Sequence, residues 1–294
     1  MILPNNSDEI FERVIHKSMI LIKLKYWDDI EKTQLNKWLN NFKTPEEKYL
    51  AAIILSKLMY RSKESIRAFG SHLFHIILPQ LLEEIGIYKI KSLDDWEKEL
   101  KMENSRSLPI RFSTIEGVDN QPGKSGSAVF RQIRKKYFNK SLGVNCLNLH
   151  ETPAHVKAII FFDDIIGTGE QFCEFLEKYN IKQLDKKIIF CPFAAQEVGL
   201  KKIKAEYPDI IISPVEILDE SSGLFSQHNK MLNQEHDEFK EFYLKTCQKY
   251  NIKTPMKLGH GELALTYCFN DSSPNNNIAA LWYQSESWNS LIQR

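Results

Sequence analysis

The chain carries almost no net charge, +1 over 294 residues. No global field therefore draws it to nucleic acid or to an anionic membrane surface. Cysteine is sparse: Cys146, Cys173, Cys191, Cys247 and Cys268 form no CxxC pair and no zinc-ligand spacing. An odd, scattered set reads as buried free thiols in a reducing compartment. No apolar run reaches the roughly 18 residues of a membrane span. The opening stretch MILPNNSDEIFERV has no basic leader followed by an apolar core. A Walker A loop is also missing: five residues, not four, separate Gly117 from Gly123-Lys124-Ser125. These absences set the expectation of a cytoplasmic protein that is no P-loop ATPase and has no membrane partner.

What is present is a substantial apolar fraction, 43%. With this length it supports one large domain, or a smaller domain with an extension. The first hundred residues read as helices. Ser7 to Tyr26 is the first, and a second begins near Asp28 and carries Ile30, Leu35, Trp38 and Leu39. Thr44-Pro45-Glu46-Glu47 is a strong start for a third, with Thr44 as cap, that runs into AAIILSKLMY up to Tyr60. Ser65 to Ile85 follows with a kink at Pro79, and then Leu93 to Leu100. Trp27, Trp38, Phe42 and Tyr49 recur at helical spacing and fit core packing. Residues 1–105 thus form a helical region and 106–294 an α/β domain.

The α/β part opens with a strand over Leu108 to Ile115. Next come the small, amide-rich Gly123-Lys124-Ser125-Gly126-Ser127 and a helix with Val129, Phe130, Ile133 and Tyr137. That order suits an anion-binding loop. Arg131, Arg134, Lys135 and Lys136 on the helix are a local basic cluster, read as a solvated face, with phosphate or nucleic-acid contact as the alternative. The overall charge argues against direct nucleic-acid binding. Asn145 to Leu149 reads as a short strand. Lys187 to Cys191 is another, closed by Pro192 and followed by a helix from Ala194 to Ala205. Asp209 to Ser213 is the next strand. The alternation implies a parallel sheet with right-handed crossovers. Farther on, Lys230 to Tyr250 reads as a helix, Leu258 to Phe269 as strand-like and Ile278 to Tyr283 as a final strand. His260 stands between Gly259 and Gly261 at the start of the strand-like run.

The organising stretch is Lys157 to Lys178, KAIIFFDDIIGTGEQFCEFLEK. Ile159 to Phe162 run without a polar break into Asp163-Asp164. Gly167-Thr168-Gly169 makes a turn, and Phe172, Phe175, Leu176 and Tyr179 follow at helical spacing. A strand, a turn and a helix result, with the turn at the strand's carboxyl end, where open α/β sheets bind ligands. Amides at the helix start suit a phosphate. Unpaired buried carboxylates are costly, so the aspartates are placed to hold a divalent ion or sugar hydroxyls.

The run IIFFDDIIGTGEQ resembles the phosphoribosyl-diphosphate (PRPP) motif of type I phosphoribosyltransferases. Three segments, YWDDIEKTQLNKWLNNFKTPEEKYLAA, FFDDIIGTGEQF and GHGELALTYCFNDSSPNNNIAALWY, extend the resemblance to most of the chain. Through them it is similar to phosphoribosyltransferase-like proteins of bacterial conflict and anti-phage systems, some accompanying retrons. The resemblance implies a type I phosphoribosyltransferase-like parallel sheet with an N-terminal helical extension. It implies that Asp163 and Asp164 contact ribose hydroxyls or their Mg²⁺ shell, as catalytic and metal residues. Ile166, Gly167, Thr168, Gly169 and Gln171 would line the 5′-phosphate. Lys124, Ser125 and Gly126 would serve the pyrophosphate. Glu170-Gln171 stand where small or hydroxyl residues are common in that family. The implied ligand is PRPP or a related nucleotide, with protein partners in a defence complex. Two readings stay open: a phosphoribosyltransferase or N-glycosidic hydrolase, and a catalytically inactive nucleotide-sensing or protein-interaction module.

Overall fold

The computed structural model describes residues 3–115, 125–232, 235–270 and 272–293, with residues 125–128 described by backbone alone. The chain divides into two compact units, Met1–Ile66 with Asp219–Arg294, and Arg67–Leu218. This partition differs from the division at residue 105. The last third of the chain returns to the first helices instead of completing the sheet.

The discontinuous unit is built on α1 (Ser7–Lys23), α2 (Lys32–Leu39), α3 (Pro45–Lys57) and α10 (His236–Lys249). Trp27, Trp38, Phe42 and Tyr49 are buried there, as core. The helix expected to run to Tyr60 stops at Lys57. Thr266 Oγ1 donates to the Lys57 carbonyl at 2.7 Å, and Met59 N donates to Thr266 O at 2.9 Å. Met59–Arg61 then forms β1, parallel to β7 (Tyr267–Phe269). That partner lies some two hundred residues on, beyond the reach of local pattern. Of the strand-like run from Leu258, only β7 is strand. The final strand expected over Ile278 to Tyr283 is instead the short helix α11 (Ala279–Trp282). Trp38 and Trp288 both donate their indole N–H to Ala280 O, at 2.7 and 3.2 Å. A short, wholly buried apolar run has no polar face to reveal its period.

The unit Arg67–Leu218 holds a five-stranded parallel sheet. Its strands are β2 (Ile110–Thr114), β3 (Ala158–Ile166), β4 (Lys187–Gln196), β5 (Ile211–Ile212) and β6 (Glu216–Leu218). The order is β2-β3-β4-β5, with β6 also on β4. On the outer edge of β2, Gly143 makes a single parallel bridge to Phe112, and Val144 N donates to Phe112 O at 2.9 Å. The chain thus steps outward from β2 and then back across it to β3. Right-handed crossovers in opposite directions fall on opposite faces. Accordingly α7 (Ser125–Tyr137) brings Phe130 toward Phe162 on one face, while α8 (Glu170–Lys178) brings Phe175 onto Phe161 on the other.

Three local expectations change. Asn145 to Leu149 is a 3-10 turn, Cys146–Glu151, because the Asn145 side chain caps Leu147 N at 2.9 Å. Pro192 does not close β4, which runs on to Gln196, so α9 begins at Glu197 (Glu197–Glu206). β5 pairs with Ile189 and Phe190, and β6 with Ala194 to Gln196. Pro192 falls in the gap between them, where its missing N–H costs no ladder bond. The kink expected at Pro79 is a π-turn, Leu73–Ile77, between α4 (Lys63–His72) and α5 (Leu78–Glu84). Leu78 N reaches back to Leu73 O, and Phe74 O accepts the Trp96 indole N–H at 2.9 Å. Trp96 lies on α6 (Leu93–Lys101). All five cysteines are buried thiols outside any disulfide. Burial pushes the thiols of Cys173 and Cys268 up to about 12.

The α3 start forms the full capping box. Thr44 Oγ1 accepts Glu47 N at 3.3 Å, and Glu47 Oε2 accepts Thr44 N at 3.2 Å. Glu47 also accepts from Lys43 N, Lys249 Nζ and Tyr250 OH, at 2.7, 2.7 and 2.8 Å. Burial alone would raise its carboxyl pKa. These donors, Lys249 foremost, reverse that and hold it below the usual 4.5. A depressed folded pKa gives stability that is present above the unfolded value and lost as pH falls through the folded one. Glu47→Gln should therefore cost about 1–3 kcal/mol at neutral pH. In urea denaturation the gap between wild type and variant should narrow as pH drops below 4.5.

Candidate functional site

The step outward and back places a change of chain direction between β2 and β3. Ligand crevices of open α/β sheets form at the carboxyl ends of strands at such a point. β2 ends its pairing at Thr114↔Phe162, whereas β3 stays on β4 through Asp163↔Pro192 and Ile166↔Ala195. Residues 163–166 thus extend beyond β2 while braced on the other side. Asp163 and Asp164 lie inside this strand, not in a loop after it.

Both aspartates are 6% exposed. Neighbours on a strand point to opposite faces, so the two carboxylates serve different sides of β3. Ala158 N donates across to Pro109 O beside β2. By alternation Asp164 N faces the same side, past the end of β2. It donates instead to Asp163 Oδ1 at 3.0 Å. Ile165 N donates to Asp164 Oδ1 at 2.8 Å. Each carboxylate thus holds the amide that follows it. Among the described residues no three His, Cys, Asp or Glu gather as a metal site. A hard carboxylate on either side does suit Mg²⁺, which is commonly held by one or two carboxylates together with substrate phosphates.

The turn after β3 is fixed from below. Gly169 has φ +83° and caps α8. A Cβ on Gly199 of α9 would lie 2.3 Å from Gly167 O, 2.7 Å from Ile166 Cγ2 and 3.0 Å from Gly169 N. The loop therefore rests directly on the α9 backbone. Ile166 is 3% exposed and packs in the core with Phe172 and Ile203. Its side chain is turned to packing, and only its main chain is left for a phosphate. Gly167 and Thr168 are half-buried, and Thr168 Oγ1 accepts weakly from Glu170 N at 3.5 Å. Glu170 sits 3.7 Å from Lys202 on α9, which offsets its charge beside the turn. Gln171 is exposed in the first turn of α8.

The other sequence candidates lie in several places. Lys124 falls outside the described residues. Ser125 and Gly126 start α7, so they belong to a helix turn instead of a free loop. His260 belongs to the other compact unit, half-buried in a turn where its N–H donates to Asn275 O at 2.8 Å. Sequence reading passed over Gln196. It is 6% exposed at the carboxyl end of β4, and its Oε1 accepts Glu197 N at 3.0 Å. The available signal was a polar residue ending an apolar run just before a helix.

The contact at Gly199 makes the loop separately testable. Gly199→Ala should displace Gly167–Gly169 and cost about 1–3 kcal/mol by overpacking. Thermal melting should show a folded but destabilised protein, with amide exchange faster at residues 167–170 than in β3.

One solved structure to which the chain shows similarity is the Helicobacter pylori xanthine-guanine-hypoxanthine phosphoribosyltransferase. It is 13% identical with a TM-score of 0.30, over 55% of this chain and 85% of that one. No curated protein matches the sequence. The PRTase-CE family model matches residues 35–294. The parallel α/β core preceded by helices agrees with that match and with a type I phosphoribosyltransferase-like fold. The chain belongs to the PRTase-CE family.

Proposed function

We propose that the crevice at the carboxyl ends of β2 and β3 binds PRPP or a related ribose 5-phosphate nucleotide. The observation that carries this reading is the direct succession of two buried aspartates and a glycine turn braced on Gly199. Sugar hydroxyls need acceptors, and a 5′-phosphate needs amides. The strand end offers the first, and the turn with the α8 start offers the second. In this reading Asp163 and Asp164 accept from the ribose hydroxyls and favour positive charge developing at C1′. The amides of Gly167 to Gly169, the Thr168 hydroxyl and the Gln171 amide hold the phosphate. The pyrophosphate falls to Lys124, Ser125 and Gly126, as the resemblance implies. Mg²⁺ held by Asp163 or Asp164 together with the ligand would neutralise charge on the leaving pyrophosphate. No protein nucleophile is required, because an acceptor attacks C1′ as pyrophosphate departs. Water as acceptor makes the same site a hydrolase that depletes nucleotide precursors. That outcome suits a cytoplasmic effector of an anti-phage system, retron-linked as the resemblance implies, acting with protein partners.

A second reading has its own support. Each aspartate already binds the next backbone amide and is nearly closed to solvent. The pair then serves mainly to shape the strand end, and the protein senses a nucleotide or docks a partner without turnover. Calorimetry with PRPP and Mg²⁺, joined to mass spectrometry of the products, separates the two. Asp163→Asn and Asp164→Asn should each weaken binding about tenfold or more, since hydrogen bonds to a charged group contribute about 1.5–3 kcal/mol. Wild-type affinity in both variants would sink the ribose reading. Tight binding with no released pyrophosphate or ribosyl product would favour the sensor.

A further inference from the structure

The near-neutral total conceals a segregated charge on α7. That helix, SGSAVFRQIRKKY, contains no acidic residue. Ile133 and Tyr137 are buried, while Arg131, Gln132, Arg134, Lys135 and Lys136 are exposed. Arg131 and Lys135 stand four residues apart and Arg131 and Arg134 three apart, so like charges adjoin on one face. Such pairs destabilise a helix by about 0.2–0.5 kcal/mol each.

Other helices of the protein treat surface charge differently. Glu97–Lys101 on α6, Glu197–Lys201 on α9 and Glu241–Lys245 on α10 are neutralising pairs at 3.2, 3.4 and 2.7 Å. Among the described residues Arg131, Arg134 and Lys135 enter no ion pair, and Lys136 only lies over the Tyr137 ring at 5.0 Å. The helix dipole favours cations in the last turn, but Arg131 lies well before it. Among the described side chains of α7, the outward face offers no apolar residue to form the dry centre of a protein interface.

We propose that the outward face of α7 binds the phosphate backbone of nucleic acid, DNA or RNA, without reading bases. Two guanidinium forks and two ammonium groups supply four phosphate contacts. No exposed aromatic residue lies among them, so stacking adds no base preference. The proposal stands apart from the crevice and survives failure of the ribose reading.

Fluorescence anisotropy with labelled 20-nucleotide DNA and RNA strands and a 20-base-pair duplex tests it on the full chain. Four phosphate contacts give a salt slope near −3 for single strands, a loss of about 50-fold from 50 to 200 mM salt. Arg131→Glu with Lys135→Glu should abolish binding and leave the circular dichroism and melting unchanged. Arg131→Gln with Lys135→Gln is the milder pair if charge reversal impairs folding, and it should weaken binding and flatten the slope. Lys201→Gln, on α9, should leave binding unchanged. No wild-type binding at 50 mM salt, a flat salt dependence or full binding by a folded α7 variant would each overturn the proposal. So would equal competition by poly-glutamate, which would assign the face to an acidic protein. A preference for DNA or for RNA identifies which backbone is the ligand.

Discussion

The β3–β4 ladder is the constraint on which the sheet unit depends. It keeps one register from Ala158↔Lys187 to Ile166↔Ala195, while β2, β5 and β6 each cover only part of it. Because β2 stops at Thr114, the upper end of β3 runs on past its last pairing with β2. Because β4 continues, the same residues remain paired on its side. A strand end held in fixed register is what a ligand site needs: position. The gap between β5 and β6 lets Pro192 sit inside β4, so a residue that normally ends strands does not shorten this one.

Burying carboxylates is costly unless donors surround them. Here each aspartate obtains one donor from the backbone amide immediately after it. The arrangement fixes the strand end. The next support comes from α9, where Gly199 lets two backbones approach more closely than any side chain permits. The strand, the turn and two helices are therefore coupled through main-chain contacts. Packing errors below the turn should reach it directly, since close-packed interiors transmit strain.

Electrostatics separates along similar lines. Glu47 is nearly closed to solvent yet receives several donors, so its charge strengthens the helix start it caps. On α7 the charges are exposed and alike. A net charge summed over the chain reports neither condition, because screening and pairing act over a few ångströms.

The strand, turn and helix around Asp163-Asp164, the Thr44 capping box and the helices α1, α3 and α6 were legible in the sequence. Each is written in contiguous residues by apolar period, cap chemistry or glycine placement. The family resemblance rested on the same local signals. Tertiary structure decided the rest. β1 exists because Thr266 caps Lys57, α11 is a helix because two tryptophans bind one carbonyl, and β4 passes Pro192 because its neighbours leave a gap there. The role of Gly199 likewise appears only once α9 lies under the turn. Short segments of this kind carry too few residues for their period to outweigh a long-range hydrogen bond. Their conformation is therefore set by partners that the sequence places far away.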